Sequence, residues 1–276
     1  MNRLRFGSSN IWLELLMIPI TLVFIFPVYV LVSMSMKTAP EIAASPLALP
    51  QSLNFDSYIM AWQEADIARA LWNSTIVTGS SILLLVILGS TAAYAIVRSG
   101  RRFDSFVFFA ILLGMMIPLQ LGMVPLYVLM RDLGLLQTHF SLILFNVGTF
   151  LPLTVFLYSG FLRVQSPTYE EAARVDGASQ IQTFTRIVFP LLRPVTGTVI
   201  IVNAINIWND FLTPLLYVGG SDNQTLPVAI LSFRGEYATN WGMTFGGMVI
   251  AIIPVLIVYF ILQKYIIRGF ASGMKG

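Results

Sequence analysis

Glu170–Pro190 reads EEAARVDGASQIQTFTRIVFP, a polar, helix-forming insert in a chain that is otherwise mostly apolar. It lies between two long apolar runs and carries Glu170, Glu171, Arg174, Asp176 and Arg186. A connection that only reversed the chain could be a few residues long. This one has room to build structure, and its composition suits a docking surface on one side of a membrane. Gly177 stands where a helix over Thr168–Asp176 should end, because glycine accepts the left-handed conformation that closes a helix. Ser166 or Thr168 suits the cap of that helix, Pro167 its first turn, and Glu170 can pair with Arg174 at i, i+4. A second helix over Ser179–Val188 should follow, stopped by Pro190. Ile181, Phe184, Ile187 and Val188 share a face of it by spacing. The expected product is two short helices at an angle, with an apolar ridge and a charged end. On these residues alone, a helix pair packed on its own bundle fits as well as a docking surface.

Outside the insert, composition fixes the class. The chain has 276 residues, 57% hydrophobic and 11% charged, with a mean hydropathy of +0.80. A soluble domain carries about a quarter charged residues, so an all-α integral membrane protein is expected. Spanning helices need about 20 mostly apolar residues. Runs of that kind predict six spans, near 11–36, 71–97, 105–130, 140–162, 194–218 and 243–266, in one membrane domain over 1–276. The helix pair, over about 167–190, falls between the fourth and fifth. If the N-terminus is cytoplasmic, the inside segments hold Arg3, Arg5, Arg98, Arg101, Arg102, Arg163, Arg174, Arg186, Arg193, Lys264, Arg268 and Lys275. The outside segments hold only Lys37, Arg69, Arg131 and Arg234. That bias places both termini and the insert inside. The first apolar stretch is too long for a secretory signal core and reads as a retained helix. Outside, Lys37–Ala70 includes SYIMAWQEADIARAL, a stretch suited to an interfacial helix, and Gly219–Trp241 is polar at its start.

Several chemistries are excluded. There are no cysteines, hence no disulfides or thiolate metal sites. No cluster of His, Asp and Glu has metal-ligand spacing. The basic residues are scattered between spans, which argues against nucleic acid. A phosphate-binding loop needs G-x-x-x-x-G-K-[ST], and none of Lys37, Lys264 and Lys275 stands in that pattern. The chain therefore reads as a non-enzyme, with no cofactor of its own. His139, the lone histidine, is expected as a solvated interfacial residue.

Polar groups inside the fifth span are the remaining candidates. Asn203, Asn206 and Asp210 follow i, i+3, i+7 and should share one face, with Asn209 beside them. An ionisable group costs at least ~2.5 kcal/mol at a bilayer centre. Asp210 instead lies roughly 25 Å along the helix from Arg193, near the outer end. The stripe suits a substrate path or gate; asparagines serving as interhelical glue, each worth about 0.6 kcal/mol, suit it equally. Pro118, Pro125, Pro152 and Pro254 interrupt backbone hydrogen bonding within spans, where kinks open cavities or merely aid packing.

The spacing E-A-A, three residues, Gly, nine residues, I-x-L-P resembles the cytoplasmic signature of ABC importer permeases. Glu171, Ala172, Ala173, Gly177, Ile187 and Pro190 hold its positions, with Phe189 where leucine is usual. The whole chain resembles the six-span permease of maltose-type carbohydrate importers. MIPLQLGMVPLY at Met116–Tyr127, NIWNDFLTPL at Asn206–Leu215 and the tail RGFASGMKG at Arg268–Gly276 support the resemblance. It implies that Glu170, Glu171, Ala172, Ala173, Asp176, Gly177, Ile187 and Pro190 form the contact with a separate ATPase, Glu171 being the key charge. It also implies a homologous second permease, two ATP-binding subunits that use ATP and Mg, and an extracytoplasmic solute-binding protein. Gly219–Trp241 would reach that binding protein and the tail would touch the ATPases. The expected location is a bacterial or archaeal plasma membrane. Peptide or polyol-phosphate import fits the same superfamily. An ion-driven transporter would need carboxylates at the midplane and an inverted repeat, and apart from Asp210 the spans hold no such carboxylate.

Overall fold

The computed structural model describes residues 11–64, 66–99, 101–236 and 241–273. Every regular element among them is helical. In chain order these are α1 (Ile11–Ser35), α2 (Ala39–Ala44), α3 (Asp56–Glu64), α4 (Ile67–Arg98), α5 (Arg102–Leu113), α6 (Leu119–Asp132) and α7 (His139–Val164). There follow α8 (Thr168–Val175), α9 (Gln180–Thr183), a π turn (Phe184–Val188), α10 (Phe189–Leu191), α11 (Arg193–Asn209), α12 (Leu212–Val218), α13 (Leu226–Glu236) and α14 (Trp241–Gly273). Helices are the economical answer to these apolar runs, since each satisfies its backbone polar groups within itself where lipid offers no partners. Trp12–Ser35, Ile67–Arg98, His139–Val164 and Trp241–Ile261 are long and apolar enough to cross a membrane. Gln180–Leu191 with Arg193–Asn209, bent by 73°, makes a fifth if counted as one span. Arg3, Arg5, Lys275 and the end of the expected tail lie outside the described residues.

Two expected spans are broken. The run 105–130 divides into α5 and α6 across 114–118. Pro118, at φ −60° and ψ 122°, cannot donate to a preceding turn and disfavours helix at Ile117. The run 194–218 divides at Asp210, whose backbone is extended at ψ 123°. Its Oδ1 accepts from the Thr213 N–H at 3.3 Å, so the side chain caps the next helix. Apolarity alone does not reveal such breaks.

The chain divides into two compact units. The first comprises residues 1–67 and 229–252. Lys37 is buried there, its Nζ donating to the Ser45 and Pro46 carbonyls at 2.9 Å each. Tyr29 Oη donates to the Leu47 carbonyl at 2.8 Å, and Ser35 Oγ pairs with Tyr58 Oη at 2.6 Å. These bonds hold the connection between α1 and α3, and the stretch expected as one interfacial helix is divided, its first part forming α3 and its last part opening α4. The apolar side chains over most of α1 are exposed on the chain itself.

The second unit comprises residues 68–228 and 253–276. Its core lies between α4, α7 and α11, where Ala93, Val155, Tyr158, Leu162, Leu192, Val195 and Val199 are buried together. A second cluster gathers Val77, Leu85, Leu142, Phe145, Ile207 and Tyr217. Gly89 lets α4 approach α7 closely, since a Cβ there would overlap the Thr154 Cγ2 methyl. Thr154 Oγ1 in turn accepts from buried Asn203 Nδ2 at 3.1 Å. One small residue thus aligns three helices.

Two outcomes are expected. Gly89→Val should lower stability by about 1–3 kcal/mol through overpacking, read as a lower Tm in detergent. Gly148→Ala, inside α7 with nothing within 4 Å of its new Cβ, should not lower Tm and should raise it slightly through helix propensity. In the first unit, the Thr38 N–H and hydroxyl donate to Glu41 Oε2, at 2.9 and 3.0 Å, and hold its carboxyl below the ordinary carboxylate range. Stabilisation from this depressed group is complete above the ordinary value and fades as pH falls through the folded-state value. Protection of the Thr38 and Gln51 amides, measured against their intrinsic exchange, should fall in that acid window and stay level with pH in Glu41→Gln.

Candidate functional site

The polar insert folds as an elbow between α7 and α11. Ser166 Oγ accepts from the Thr168 N–H at 3.3 Å, at the start of α8. Pro167 holds the N-cap position of α8 and is not inside its first turn. α8 closes at Gly177, φ +82°. The Gly177 N–H donates to the Arg174 carbonyl at 3.1 Å and the Ala178 N–H to the Ala173 carbonyl at 2.9 Å. That pair of bonds is the Schellman closure, which requires a left-handed residue where glycine stands. Ser179 then opens α9: its Oγ accepts from the Gln182 N–H, and Gln182 Oε1 accepts from the Ser179 N–H at 2.8 Å. This is a reciprocal capping box.

The second helix departs from expectation. It passes through a π turn at Phe184–Val188, continues over Pro190, and breaks only at Leu192. Proline lacks a donor and crowds the carbonyl four residues back. The wider π turn, in which Phe189 N–H reaches Phe184 O, relieves that conflict and lets the helix run on. The extra residue also shifts the helical register. Ile181 is 75% exposed while Val188 is buried, so the expected ridge is split.

Glu170 pairs with Arg98 instead of Arg174. Arg98 Nε donates to Glu170 Oε1 at 2.8 Å, and Arg98 Nη2 donates to the Gln165 carbonyl at 3.1 Å. Glu170 is 4% exposed. It faces its own bundle, whereas Glu171 beside it faces out. Ala172, Asp176 and Gly177 are exposed, Ala173 is buried, and Ile187 and Pro190 are half-buried. Tyr169, Val175 and Ile181 are 65%, 87% and 75% exposed. Their prominence is not marked by periodicity, because it depends on the angle between α8 and α9.

The asparagine stripe does not form a single face. Asn203 is buried and bonded to Thr154, whereas Asn206 and Asn209 are exposed and donate to the carbonyls of Val202 and Ile205 at 2.7 and 2.8 Å. Asp210 lies beyond the end of the helix that would have aligned it with them. A cavity of about 240 Å³ beside this helix is lined by Thr78, Ile82, Ile200, Ala204, Trp208 and Pro254, and its walls are almost wholly apolar.

At the other end of α4, His139 Nε2 sits 3.0 Å from Asn73 Oδ1, so it is tied into the fold and not merely solvated. Asn73 Nδ2 donates to the carbonyls of Asp222 and Gln224, both at 2.9 Å. Ser74 Oγ accepts from the Leu226 N–H at 2.8 Å. The polar start of the 219–241 segment is thereby anchored to α4. Residues 237–240 of that segment lie outside the described residues.

Long apolar helices joined through an exposed helical elbow are the frame of a multi-pass membrane component. The chain belongs to the family of binding-protein-dependent transport system inner membrane components, whose pattern its residues 85–272 match. It is 39% identical over 252 residues to the melibiose/raffinose/stachyose import permease of Bacillus subtilis, covering 91% of each chain. It is 34% identical to the multiple sugar-binding transport system permease of Streptococcus mutans, covering 91% of this chain and 92% of that one. In fold it resembles a chain of a bacterial ABC transporter involved in the import of the acidic polysaccharide alginate. That likeness has a TM-score of 0.80 at 24% identity, covering 95% of this chain and 99% of the other.

The elbow's closure gives a direct test. A Cβ at Gly177 meets nothing within 4 Å, so substitution there costs only backbone strain, about 1–2 kcal/mol for an ordinary residue. Gly177→Val should speed amide exchange at Ala178, while Gly177→Asn, which tolerates the left-handed region, should change it little.

Proposed function

We propose that the chain is the membrane permease subunit of an ATP-driven importer for a sugar or oligosaccharide. Six crossings are assigned to α1, α4, α5 with α6, α7, α11 with α12, and α14. Both termini and the elbow face the cytoplasm, in keeping with the excess of Lys and Arg on that side. The membrane is the plasma membrane of a bacterium or archaeon.

The observation that carries the mechanism is the exposed elbow. Val175, Ile181 and Tyr169 present apolar surface beside Glu171 and Asp176, and an exposed apolar patch with a charged rim marks an interaction site. The partner is an ATP-binding subunit, since the sequence carries no phosphate-binding loop of its own. ATP and Mg act there, on two such subunits. Closure of that pair would displace the elbow and, through it, the helices around the pathway. A second, homologous permease supplies the other half of that pathway. A solute-binding protein delivers the cargo, and the loop anchored by Asn73 is proposed to meet it. Sugar as cargo is supported by relatives named for melibiose, raffinose and stachyose import and for multiple sugar-binding transport, at 34–39% identity over nearly their whole length.

The test is reconstitution with the cognate ATPase, sister permease and binding protein, with labelled raffinose and melibiose as probes. Val175→Glu and Glu171→Lys should each cut co-purifying ATPase about tenfold, as expected for residues at the centre of a small interface, with the permease still monodisperse. Unchanged assembly in both variants, or raffinose transport by the purified chain without ATPase, would overturn the reading.

A further inference from the structure

The last turns of α4 hold both halves of the elbow. Arg98 grips α8 through Glu170 and grips the end of the α7 connection through the Gln165 carbonyl. One helical turn earlier, the Tyr94 ring packs on Phe184 in the π turn, with centroids 5.1 Å apart, and Phe184 packs on Phe189 at 6.1 Å. The Arg98 and Glu170 side chains are only 14% and 5% exposed. Glu170 Oε2 is buried with no hydrogen-bond partner among the described residues. A carboxylate so placed depends on its ion pair with Arg98, because a buried charge left alone is strongly disfavoured. The pair therefore behaves as a rigid joint and not as a loose surface contact. Along α4 the same rigid helix reaches Gly89, where it contacts α7, and Asn73, where it anchors residues 222–224.

We propose that Arg98 and Glu170 are positioning residues for transport: together they clamp α8 to α4, so that displacement of the elbow moves α4 and, with it, the far-end loop. Glu170 thus acts within the chain, while its neighbour Glu171 faces the partner. This inference rests on the elbow being the ATPase contact, and it adds the route by which motion leaves the elbow. Coupling carried by one helix requires that it be fastened at the input, and the buried pair is that fastening.

The test uses the full complex in nanodiscs, with Arg98→Gln, Glu170→Gln, Arg98→Lys and the exchanged pair Arg98→Glu with Glu170→Arg. The absence of cysteine from this chain permits spin labels at Thr91 and Thr168, both exposed and neither part of the proposed ATPase contact, to report the α4–α8 distance. The glutamine variants should keep ATPase co-purification, broaden the Thr91–Thr168 distance distribution, and lower raffinose transported per ATP hydrolysed by about tenfold. Arg98→Lys should recover most of that ratio, and the exchanged pair part of it. Wild-type transport per ATP in both glutamine variants would overturn the proposal. So would loss of folding in both together with an inert Arg98→Lys, which would mark the pair as structural only. Failure of wild-type permease to bind ATPase would instead strike the elbow assignment, and the distance distributions would still judge the clamp.

Discussion

Glu170 is buried, and its carboxyl is held in an ion pair with the Arg98 guanidinium opposite it. Removing one member of such a pair costs about 3–5 kcal/mol, far more than an exposed pair is worth. Other features at this end of the unit follow from that constraint. α8 must lie against the last turn of α4, so its Ala173 face turns inward and its Glu171, Val175 and Asp176 positions turn outward. Gly177 must then close α8 within a single turn for α9 to start where Phe184 can meet Tyr94. Arg163, stacked 4.7 Å from the Phe108 ring centroid, ties α5 into the same region.

Interruption of long helices is the second organising theme. α5 and α6 part around Pro118, α11 and α12 part at Asp210, and the elbow helix turns into α11 at Leu192. Non-helical backbone at these places frees carbonyls and amides that lipid cannot satisfy. Side chains answer part of the demand, as Asp210 does for Thr213. Breaks of this kind are tolerated where backbone is covered by protein or water, and they allow neighbouring segments to move separately.

Much of the elbow was legible in the sequence because its signals are local. Gly177 as a left-handed closure and Ser179 at the head of a second helix depend on residues within four positions. The partner of Glu170 was not legible. Arg174, at i+4, was the local candidate, whereas Arg98 is 72 positions away and comes into reach only once α4 and α7 have packed. The π turn was hidden for a related reason: Pro190 reads as a stop unless the preceding turn widens. Likewise, the asparagine stripe presumes an unbroken helix, and Asp210 ends it. Apolar composition placed most of the long helices but not the breaks within them, which hang on the backbone of one or two residues.

These facts assign different tasks to adjacent carboxylates. Glu170 and Glu171 are consecutive in sequence and point to opposite sides of α8, one to a guanidinium inside the chain and one to the outside. A helix of eight residues is too short to hold an orientation by its own hydrogen bonds. Its angle must come from contacts, and on the inner face the charged contact is Arg98. The outer face then inherits that angle, including the direction in which Glu171 and Val175 are presented. The proposed interface on so small a helix is therefore only as well defined as the ion pair behind it, which α4 supplies with its arginine.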